Sequence, residues 1–377
     1  RRGPVEGGPV DERRGSATIP DVARLAGVST ATAARALGNY GSVSPATREK
    51  VEQAAAALGY RANSLVRSMV TGTTNTLGVV LSDIENPFFS RVLRGISDVA
   101  HEAGFEVVLV NTDESSDTER NAVRVLTEKR VDGLLVCPAD AGSTEHLRSV
   151  AAAGTPLVLV DRRIKQVPAD SVVVDNRAAA RAATQRLTEL GHRRIGLITG
   201  MDGELGERFA VPGLRGIERA LINTTAGRAA GYRDALVEVG VVVRSEYVVS
   251  EGFRREDAVR ATKQLMSLDG PPTAILALDS LLALGAMQAL RELGVHCPDD
   301  VSLVGFDDAD WTEAVTPPLT VVAQPVQRIG SEACRLLLER IAGSTRPPVH
   351  RVLRTELIER GSVAPAPRPH RAERLSS

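Results

Sequence analysis

The feature that most restricts the fold is a regular alternation, from Leu77 to Phe306, of short Val, Ile and Leu runs with longer amphipathic segments. The predicted strands are 77–81, 105–110, 131–136, 156–160, 171–174, 194–198, 273–277 and 301–306. The predicted helices are 87–103, 118–129, 178–190, 232–239, 257–268 and 281–293. Continuous apolar strands alternating with helices are typical of parallel sheets covered on both faces. Two such series predict two α/β lobes, with a ligand cleft beyond the carboxyl ends of the strands.

A different pattern precedes the alternation, because the residues from Thr18 to Asn39 read as two short helices joined by a glycine turn. Thr18 and Asp21 form a Thr-x-x-Asp capping box at the first helix, and Ser29 caps the second. Between them, Gly27 permits a left-handed turn. The exposed side of the second helix is predicted to carry Thr30, Ala31, Thr32, Ala34 and Arg35. Such a helix fits a DNA major groove, although a helical hairpin within a larger core is the alternative.

A third helix is predicted behind this pair, starting at the cap Ser44 and the N1 residue Pro45 and continuing to Leu58. Three helices of this size bury a very small core, so the module is expected to be marginally stable alone. Residues 61–72 form a further short helical possibility before a threonine and glycine stretch.

The chain resembles the lactose repressor/galactose repressor family of bacterial transcription regulators. The matching strings are Asp21-Val-Ala-x-x-Ala-Gly-Val-Ser29, Val43-Ser-x-x-Thr-Arg48, Leu58-Gly-Tyr-Arg-x-Asn63 and Gly78-Val-Val-x-x-Asp-Ile-x-Asn-Pro-Phe-Phe89. They occur in the family's order and spacing, and further matches continue to about residue 358.

The resemblance implies an N-terminal all-α helix-turn-helix head at 17–62, a hinge helix and linker at 63–75, and an effector-binding and dimerisation domain at 76–360. That last domain is expected to be a type I periplasmic-binding-protein-like α/β fold of two lobes with parallel sheets, whose last helix and strand return between the lobes. In the family, an apolar hinge residue wedges into the minor groove. Met69 stands at that place, and methionine suits a wedge between base steps, although a plain linker residue is the alternative.

The residues expected to contact DNA lie in the head and the hinge. They are Thr18, Ser29, Thr30, Ala31, Thr32, Arg35, Asn39, Arg61, Asn63, Arg67 and Met69. Of these, Arg35, Thr30 and Ala31 should face base edges, whereas Arg61 and Arg67 should serve phosphates or the groove rim.

The residues expected to bind the effector follow the predicted strands. They are Asp83, Phe88, Phe89, Asp161, Arg228, Asp279, Asp307 and Trp311. Carboxylates accept hydrogen bonds from ligand hydroxyls, and an arginine donates a fork. The role of Arg228 is implied by the resemblance, since Gly231-Tyr-Arg-Asp-Ala-Leu236 matches the family's motif near such an arginine. The alternative is that the charges merely end strands and pair together, and that Trp311 packs at the lobe interface.

Two departures from the family limit what can be carried over about the effector. The family usually has an asparagine before the aspartate at 279, whereas this chain has Leu278, which removes a polar contact. The stretch between Gly200 and Arg228 is also longer than is typical, with 201–213 apparently inserted near the cleft mouth.

Composition fits a cytoplasmic protein. The chain has 377 residues and a formal net charge of −1, so the modest basic excess of the head needs help from dimerisation on a near-palindromic operator. Its 3 cysteines have no metal spacing and suit a reducing cytoplasm. We expect no membrane span, no secretory signal, no cofactor and no metal. Residues 1–16 and 361–377 are predicted to be disordered tails.

The sequence predicts a homodimeric DNA-binding transcription regulator. We expect it to be a repressor that is controlled by a small, sugar-like effector. A solute-binding protein is the first alternative, but it needs a signal peptide and has no use for residues 18–72. An enzyme is the second, and neither a Gly-x-Gly-x-x-Gly after a strand, nor a Walker loop, nor a partnered nucleophile supports it.

Overall fold

The computed structural model describes residues 17–38, 41–60, 73–140, 142–200, 223–250 and 252–367, which fall into two compact units that divide after Thr74. Each unit is built around its own apolar core, as the change of sequence pattern near this point predicts. No helix in these ranges is long and apolar enough to cross a membrane.

The first unit contains three helices, α1 (Ile19–Ala26), α2 (Thr30–Gly38) and α3 (Pro45–Ala57). The expected caps are present. The backbone N–H and the hydroxyl of Thr18 both donate to Asp21 Oδ2, at 3.1 and 2.6 Å. The Ser29 hydroxyl accepts from the Thr32 N–H at 3.1 Å, and α1 ends at Gly27, whose φ of 67° is left-handed. The predicted helix-turn-helix geometry is confirmed.

The core of this unit is small and made of short side chains. Its fully buried centre is Val22, Ala33 and Val51, one residue from each helix. Small residues let three short helices approach closely, but they bury little apolar area, so few kcal/mol hold the unit together.

The second unit contains twelve strands and nine α-helices among the described residues. The strands are β1 (Thr76–Leu81), β2 (Glu106–Asn111), β3 (Gly133–Val136), β4 (Leu157–Val160), β5 (Asp170–Val174), β6 (Ile195–Thr199), β7 (Val248–Ser250), β8 (Ala274–Ala277), β9 (Ser302–Phe306), β10 (Thr320–Ala323), β11 (His350–Leu353) and β12 (Glu356–Ile358). The helices are α4 (Pro87–Glu102), α5 (Ser116–Glu128), α6 (Glu145–Ala152), α7 (Asn176–Glu189), α8 (Asn223–Glu238), α9 (Arg255–Met266), α10 (Ser280–Leu293), α11 (Asp310–Ala314) and α12 (Val326–Ile341).

The strands form two six-stranded sheets, in the orders β11-β5-β4-β3-β1-β2 and β12-β10-β9-β8-β6-β7. All neighbours are parallel except β10 and β12. In β1, Val79 and Leu81 pack into one core and Val80 into another on the opposite face, as expected for a sheet covered on both sides. The predicted pair of α/β lobes is confirmed.

The chain crosses between the two lobes three times, after β5, after β10 and after β11. The second crossing returns α12 to the first lobe, where it lies against α4. The two helices meet at Gly95 and Gly330. A Cβ on either glycine would lie 2.0 Å from a carbonyl oxygen of the other helix, which no side chain tolerates. This close crossing fixes the first lobe after the chain has returned to it.

The predicted tail boundary at residue 361 is wrong for its first seven residues. Residues 361–367 are described, and they run along the amino ends of strands in the second sheet. Ser362 is fully buried, its carbonyl accepts from the Leu303 N–H at 2.9 Å, and the Ala364 carbonyl bonds the His192 ring at 2.9 Å. Backbone pairing to a strand end and a buried hydroxyl outweigh a composition rich in Pro and Ala, which alone suggests disorder.

We predict that Ser362→Ala lowers the free energy of unfolding by about 1–3 kcal/mol, because a buried donor then loses its acceptor. The Ser362 hydroxyl donates to the Leu303 carbonyl at 2.6 Å and accepts from the Thr320 N–H at 2.8 Å. Denaturant unfolding measures the change. Ser267→Ala, at an exposed hydroxyl on the same lobe, is the matched control and should change stability by less than about 0.5 kcal/mol. Equal small effects from both variants would contradict the assignment of 361–367 to the folded lobe.

Candidate functional sites

The exposed face of α2 is the candidate DNA-binding surface of the first unit. Thr30, Ala31 and Arg35 are exposed there, while Thr32 and Ala34 are half-buried. The short side chains at the start of the helix allow a close approach to another surface, and Arg35 projects beyond them with its Nε 3.3 Å from the Ala31 carbonyl. The predicted exposure is therefore found for Thr30, Ala31 and Arg35 and only in part for Thr32 and Ala34. A role of this face in reading DNA stays a prediction.

Thr18 and Ser29 stand at the amino ends of α1 and α2, where their hydroxyls take part in capping. Helix amino ends also present backbone N–H groups to anions such as phosphates. The other predicted DNA contacts, Asn39, Arg61, Asn63, Arg67 and Met69, lie outside the described residues. Their roles stay predictions.

The second unit has a cleft between the carboxyl ends of the strands of both sheets. Seven of the eight predicted effector residues line it. The described lining residues are Asp83, Asn86, Phe88, Phe89, Glu114, Asp161, Arg162, Thr199, Gly200, Thr224, Thr225, Arg228, Phe253, Leu278, Asp279, Leu282 and Asp307. Four of these residues, Asp83, Asp161, Asp279 and Asp307, lie immediately after β1, β4, β8 and β9 or one residue later, as the strand-end rule predicts.

Trp311 does not belong to this lining. Its indole N–H donates to the Ser280 hydroxyl at 3.4 Å, and its ring packs against the core of the second lobe. The expectation that Trp311 forms a pocket wall is therefore wrong. It lies on α11 rather than at a strand end, and that short helix turns it toward the body of the lobe.

One wall of the cleft is built around Arg162, which the first lobe buries. Its two Nη atoms bond the two carboxylate oxygens of Glu114 at 2.6 Å each, and Nη1 also donates to the Pro138 carbonyl at 2.8 Å. This planar fork fixes the guanidinium and leaves its Nε without a hydrogen bond. Beside it, Asp161 has an Oδ1 atom that accepts no hydrogen bond although it is buried.

Arg228 occupies the opposite wall, on α8. Its Nε donates to the Asn176 Oδ1 at 2.7 Å and its Nη1 to the Leu278 carbonyl at 2.6 Å. The guanidinium lies over the Phe306 ring, 4.2 Å from the centroid. These contacts hold the group in one plane, and none of the described hydrogen bonds uses Nη2.

The two remaining buried carboxylates are held by neutral partners. Asp279 caps α10 through the Leu281 N–H at 2.8 Å and accepts from the Asn86 amide at 3.0 Å. Asp307 accepts from the Gln324 amide at 2.7 Å, and the Gln324 Oε1 has no hydrogen bond. Burial raises the pKa of Asp161 and of Asp279, and it raises the pKa of Asp307 to about 7 against the opposing influence of Arg228.

The backbone at the cleft adopts rare conformations. Asp113, Glu114, Asp161 and Asp307 have φ between 50° and 67°, a left-handed region that disfavours side chains other than Asn and Asp. All four follow a strand that ends at the cleft. Such conformations persist where the surrounding structure holds them, and they cluster at binding sites.

Several lining residues were missed by the sequence reasoning. Thr199 ends β6 and Glu114 lies three residues after the end of β2, so the same strand-end rule applied to every strand points to both positions. Asn86 is the N-cap of α4, and its side chain accepts from the Phe88 N–H at 3.0 Å. Phe253 follows β7, a three-residue strand that periodicity did not predict, and no signal for it was available.

Known families match both units. The family described as bacterial regulatory proteins, lacI family, matches residues 18–63, and the periplasmic binding protein-like domain matches residues 184–363. Among curated relatives, the HTH-type transcriptional repressor PurR of Vibrio atlanticus (strain LGP32) is 34% identical over 349 residues, 92% of this chain and 98% of the relative. The HTH-type transcriptional repressor CytR of Escherichia coli (strain K12) is 35% identical over 356 residues, 93% of this chain and 98% of the relative.

Solved structures are similar to this chain over comparable lengths. The transcriptional regulator CelR in complex with cellobiose matches with a TM-score of 0.66 and 32% identity, over 92% of this chain and 99% of that one. A LacI family transcriptional regulator from Enterococcus faecium with bound ribose matches with a TM-score of 0.66 and 28% identity, over 78% of this chain and 100% of that one.

We predict that the unfolding free energy falls by a few kcal/mol between about pH 4 and pH 7, with Asp307 as a main cause. Its pKa rises from 3.8 to about 7 in the folded protein, so the folded protein holds a proton that the unfolded chain has already released. Stability is therefore highest below the unfolded pKa and is lost as pH rises toward the folded pKa. Denaturant unfolding at a series of pH values measures this slope.

In the same series, Asp307→Asn should flatten the slope and raise stability at pH 7 relative to the parent. Glu145→Gln, at an exposed carboxylate on the first lobe, is the control and should keep the parent slope. An unchanged slope in Asp307→Asn would show that this carboxylate is not the buried, proton-holding group.

Proposed function

Since this chain belongs to the lacI family of bacterial regulatory proteins and is a DNA-binding transcription regulator, we propose that it is a repressor controlled by a small hydroxylated molecule bound between its lobes. The control is allosteric, and no bond of the effector is made or broken, so we assign it no catalytic step.

The observation that carries the effector assignment is a set of buried polar atoms without hydrogen bonds. Three belong to lining residues, namely Asp161 Oδ1, Arg162 Nε and Thr199 Oγ1, and a fourth, Gln324 Oε1, belongs to the partner of Asp307. Buried polar atoms are nearly always satisfied, so unsatisfied ones grouped beside a cleft point to a ligand that completes them. Hydroxyl groups suit this set because each can both donate and accept.

The charges of the lining residues restrict the chemical class of the effector further. Among the described lining residues are the carboxylates Asp83, Glu114, Asp161, Asp279 and Asp307 and the guanidinium groups of Arg162 and Arg228. Arg162 is already neutralised by Glu114, and Arg228 faces three buried acids. Acidic side chains outnumber basic ones among these residues, and none of the described guanidinium groups is free of other partners and so available to an anion. We therefore propose an uncharged polyol. Similar proteins have been solved with ribose and cellobiose, which makes D-ribose a suitable first probe.

For the DNA-binding head, we propose that α2 enters the major groove of the operator. Thr30, Ala31, Thr32 and Arg35 would meet the bases, and the amino ends of α1 and α2 would meet phosphates beside Thr18 and Ser29. The proposal extends to the family's hinge, where Arg61, Asn63, Arg67 and Met69 are expected to act beyond the described residues.

A single head reads one half-site, so we propose a homodimer on a near-palindromic operator in the cytoplasm, where the chromosome is accessible. Helices α4 and α10 are the proposed contacts between protomers. An effector that binds one lobe arrangement better than another changes the angle between the lobes. That angle would set the separation of the two chain segments that enter the lobes at Thr76, and so the affinity for both half-sites together.

We predict that Arg35→Ala weakens binding to the preferred operator by about 1–3 kcal/mol and relaxes the preference at one position of each half-site. Sequencing of genomic fragments retained by the protein supplies the operator, and a binding titration on single-base variants measures the change. The control is Arg24→Ala on α1, whose side chain is 79% exposed and pairs with Asp21. Loss of affinity for all sequences alike, or none, in Arg35→Ala would place α2 outside the major groove.

We predict that Asp161→Asn abolishes the effector response without lowering thermal stability. The amide removes a buried charge and tolerates the φ of 66° at this residue, but it offers a ligand hydroxyl one acceptor fewer. Calorimetry with D-ribose, operator binding with and without it, and the melting temperature are the measurements. The exposed Asp269→Asn is the control.

In this comparison, a parent protein that binds D-ribose and a variant that binds it at least tenfold more weakly support the assignment. A variant that responds like the parent contradicts it. D-ribose 5-phosphate should bind far more weakly than D-ribose, because the cleft carries an excess of carboxylates.

A further inference from the structure

A polar contact joins the two lobes outside the cleft. Arg91 on α4, in the first lobe, donates from Nη1 to the Asp308 carbonyl of the second lobe at 2.7 Å, and its Nη2 pairs with the Asp310 carboxylate. The Arg91 side chain is 39% exposed and is not part of the cleft lining. It therefore bears on how the lobes sit together rather than on what the cleft binds.

The second-lobe half of this contact is held in part within its own lobe. The Thr312 hydroxyl donates to Asp308 Oδ1 at 2.8 Å, and Arg360 pairs with the same oxygen at 2.8 Å. The Asp310 side chain, in contrast, is 96% exposed. A guanidinium that donates to the Asp308 carbonyl makes a charge-assisted bond, stronger than a bond between neutral groups, whereas an exposed ion pair contributes little.

The contact is also adjacent to the cleft along the chain. Asp308 follows Asp307, whose carboxylate lines the cleft and whose backbone is held at a φ of 67°. A shift of Asp307 toward a ligand therefore moves the neighbouring carbonyl that Arg91 holds. On the first-lobe side, α4 carries Arg91 together with the cleft residues Phe88 and Phe89. Both ends of the contact are therefore close to cleft residues along the chain.

We propose that Arg91, Asp308 and Asp310 form an inter-lobe latch that holds the lobes in the closed arrangement before the effector binds. The latch thereby sets the fraction of effector-free protein that is already closed. This inference rests on the proposed effector-controlled function. It concerns a positioning residue, because Arg91 acts through the lobe arrangement and touches no ligand.

The latch raises the fraction of effector-free protein that is closed, and the apparent affinity of a ligand that binds the closed arrangement is its intrinsic affinity multiplied by that fraction. Removing the latch should therefore open the lobes of the effector-free protein and weaken effector binding, although no cleft residue has changed. The free protein should also change its operator affinity, since the lobe angle is what the operator senses.

The test compares Arg91→Met with Arg94→Met in the full-length protein. Arg94 lies on the same helix, is 73% exposed and pairs with Asp98 in its own lobe, so it matches charge and helix but not the latch. Because α4 is also a proposed contact between protomers, sedimentation must show the parent assembly for both variants. Asp310→Asn weakens the ion pair and leaves the bond to the Asp308 carbonyl, and Arg91→Lys keeps the charge but loses the fork. These two variants are expected to fall between the parent and Arg91→Met.

Lobe separation is read as the distance between spin labels on introduced cysteines, Glu128→Cys at the end of α5 and Gln264→Cys near the end of α9, with Cys297→Ser to remove a partly accessible thiol. In a βαβ unit the carboxyl end of the helix lies away from the carboxyl ends of the strands, so both labels sit far from the cleft. Dilution with unlabelled protein restricts the signal to one protomer.

The expected result without effector is a shifted or broadened distance distribution in Arg91→Met, an intermediate one in Asp310→Asn, and the parent distribution in Arg94→Met, with equal melting temperatures. The operator Kd of effector-free Arg91→Met should change by about threefold to tenfold, and its D-ribose Kd should rise by a similar factor.

An unchanged distance distribution in Arg91→Met overturns the latch, whatever the effector proves to be. A changed distribution with an unchanged operator Kd supports the latch and instead contradicts the proposed coupling between lobe angle and DNA. The two failures are therefore distinguishable.

Discussion

Three carboxylates, Asp161, Asp279 and Asp307, are buried between the two lobes, and the rest of the structure must offset the free energy that their burial costs. Desolvation raises the pKa of each, so every one of them opposes folding at neutral pH. Arg228 is the one guanidinium placed among them without its own carboxylate partner in the described residues. The apolar cores on both faces of each sheet offset this unfavourable free energy. The acids lie at the strand ends, outside the apolar layers.

Because these carboxylates lie between the lobes, the geometry of the cleft changes with the angle between the lobes. Its walls come from different lobes, joined by three crossing segments and by side chains such as Asn86, which caps one helix and donates to the cap of another at 3.0 Å. In each lobe the strands end at a common edge, so a small rotation moves all wall residues of that lobe together. A ligand that satisfies both walls therefore selects one angle, and the energy it can exert is limited to its preference for that angle.

Much of this fold was predictable because the central strands are buried on both faces and read as continuous apolar runs, while β2, β11 and β12 are partly exposed. The local pattern did not predict α6, α11, α12, β7, β10, β11 or β12, and it predicted α8 only in part. Helix α8 was predicted near Tyr232 but begins at Asn223, because its first turns contain Gly227 and Gly231, which look like loop residues. A Cβ on Gly231 would lie 2.1 Å from the Arg177 carbonyl on α7, so contact between helices, invisible in a local pattern, demands glycine there. The strand-end rule likewise found Asp83, Asp161, Asp279 and Asp307, whereas Phe253 and the packed segment 361–367 depend on tertiary pairing.

The apolar residue at 278 shows how a departure from the family can leave the architecture intact while changing recognition. The Leu278 side chain lines the cleft and is 3% exposed, so it offers a ligand only apolar contact. Its backbone carbonyl nevertheless accepts from Arg228 at 2.6 Å, a role that any residue could fill. The arginine is therefore held whatever side chain stands at 278. Two other lining residues, Thr199 and Asp161, have buried side-chain oxygens without a hydrogen bond. Under the proposed function, these oxygens, from β6 and the first lobe, offer the polar contact that an asparagine at 278 would otherwise supply.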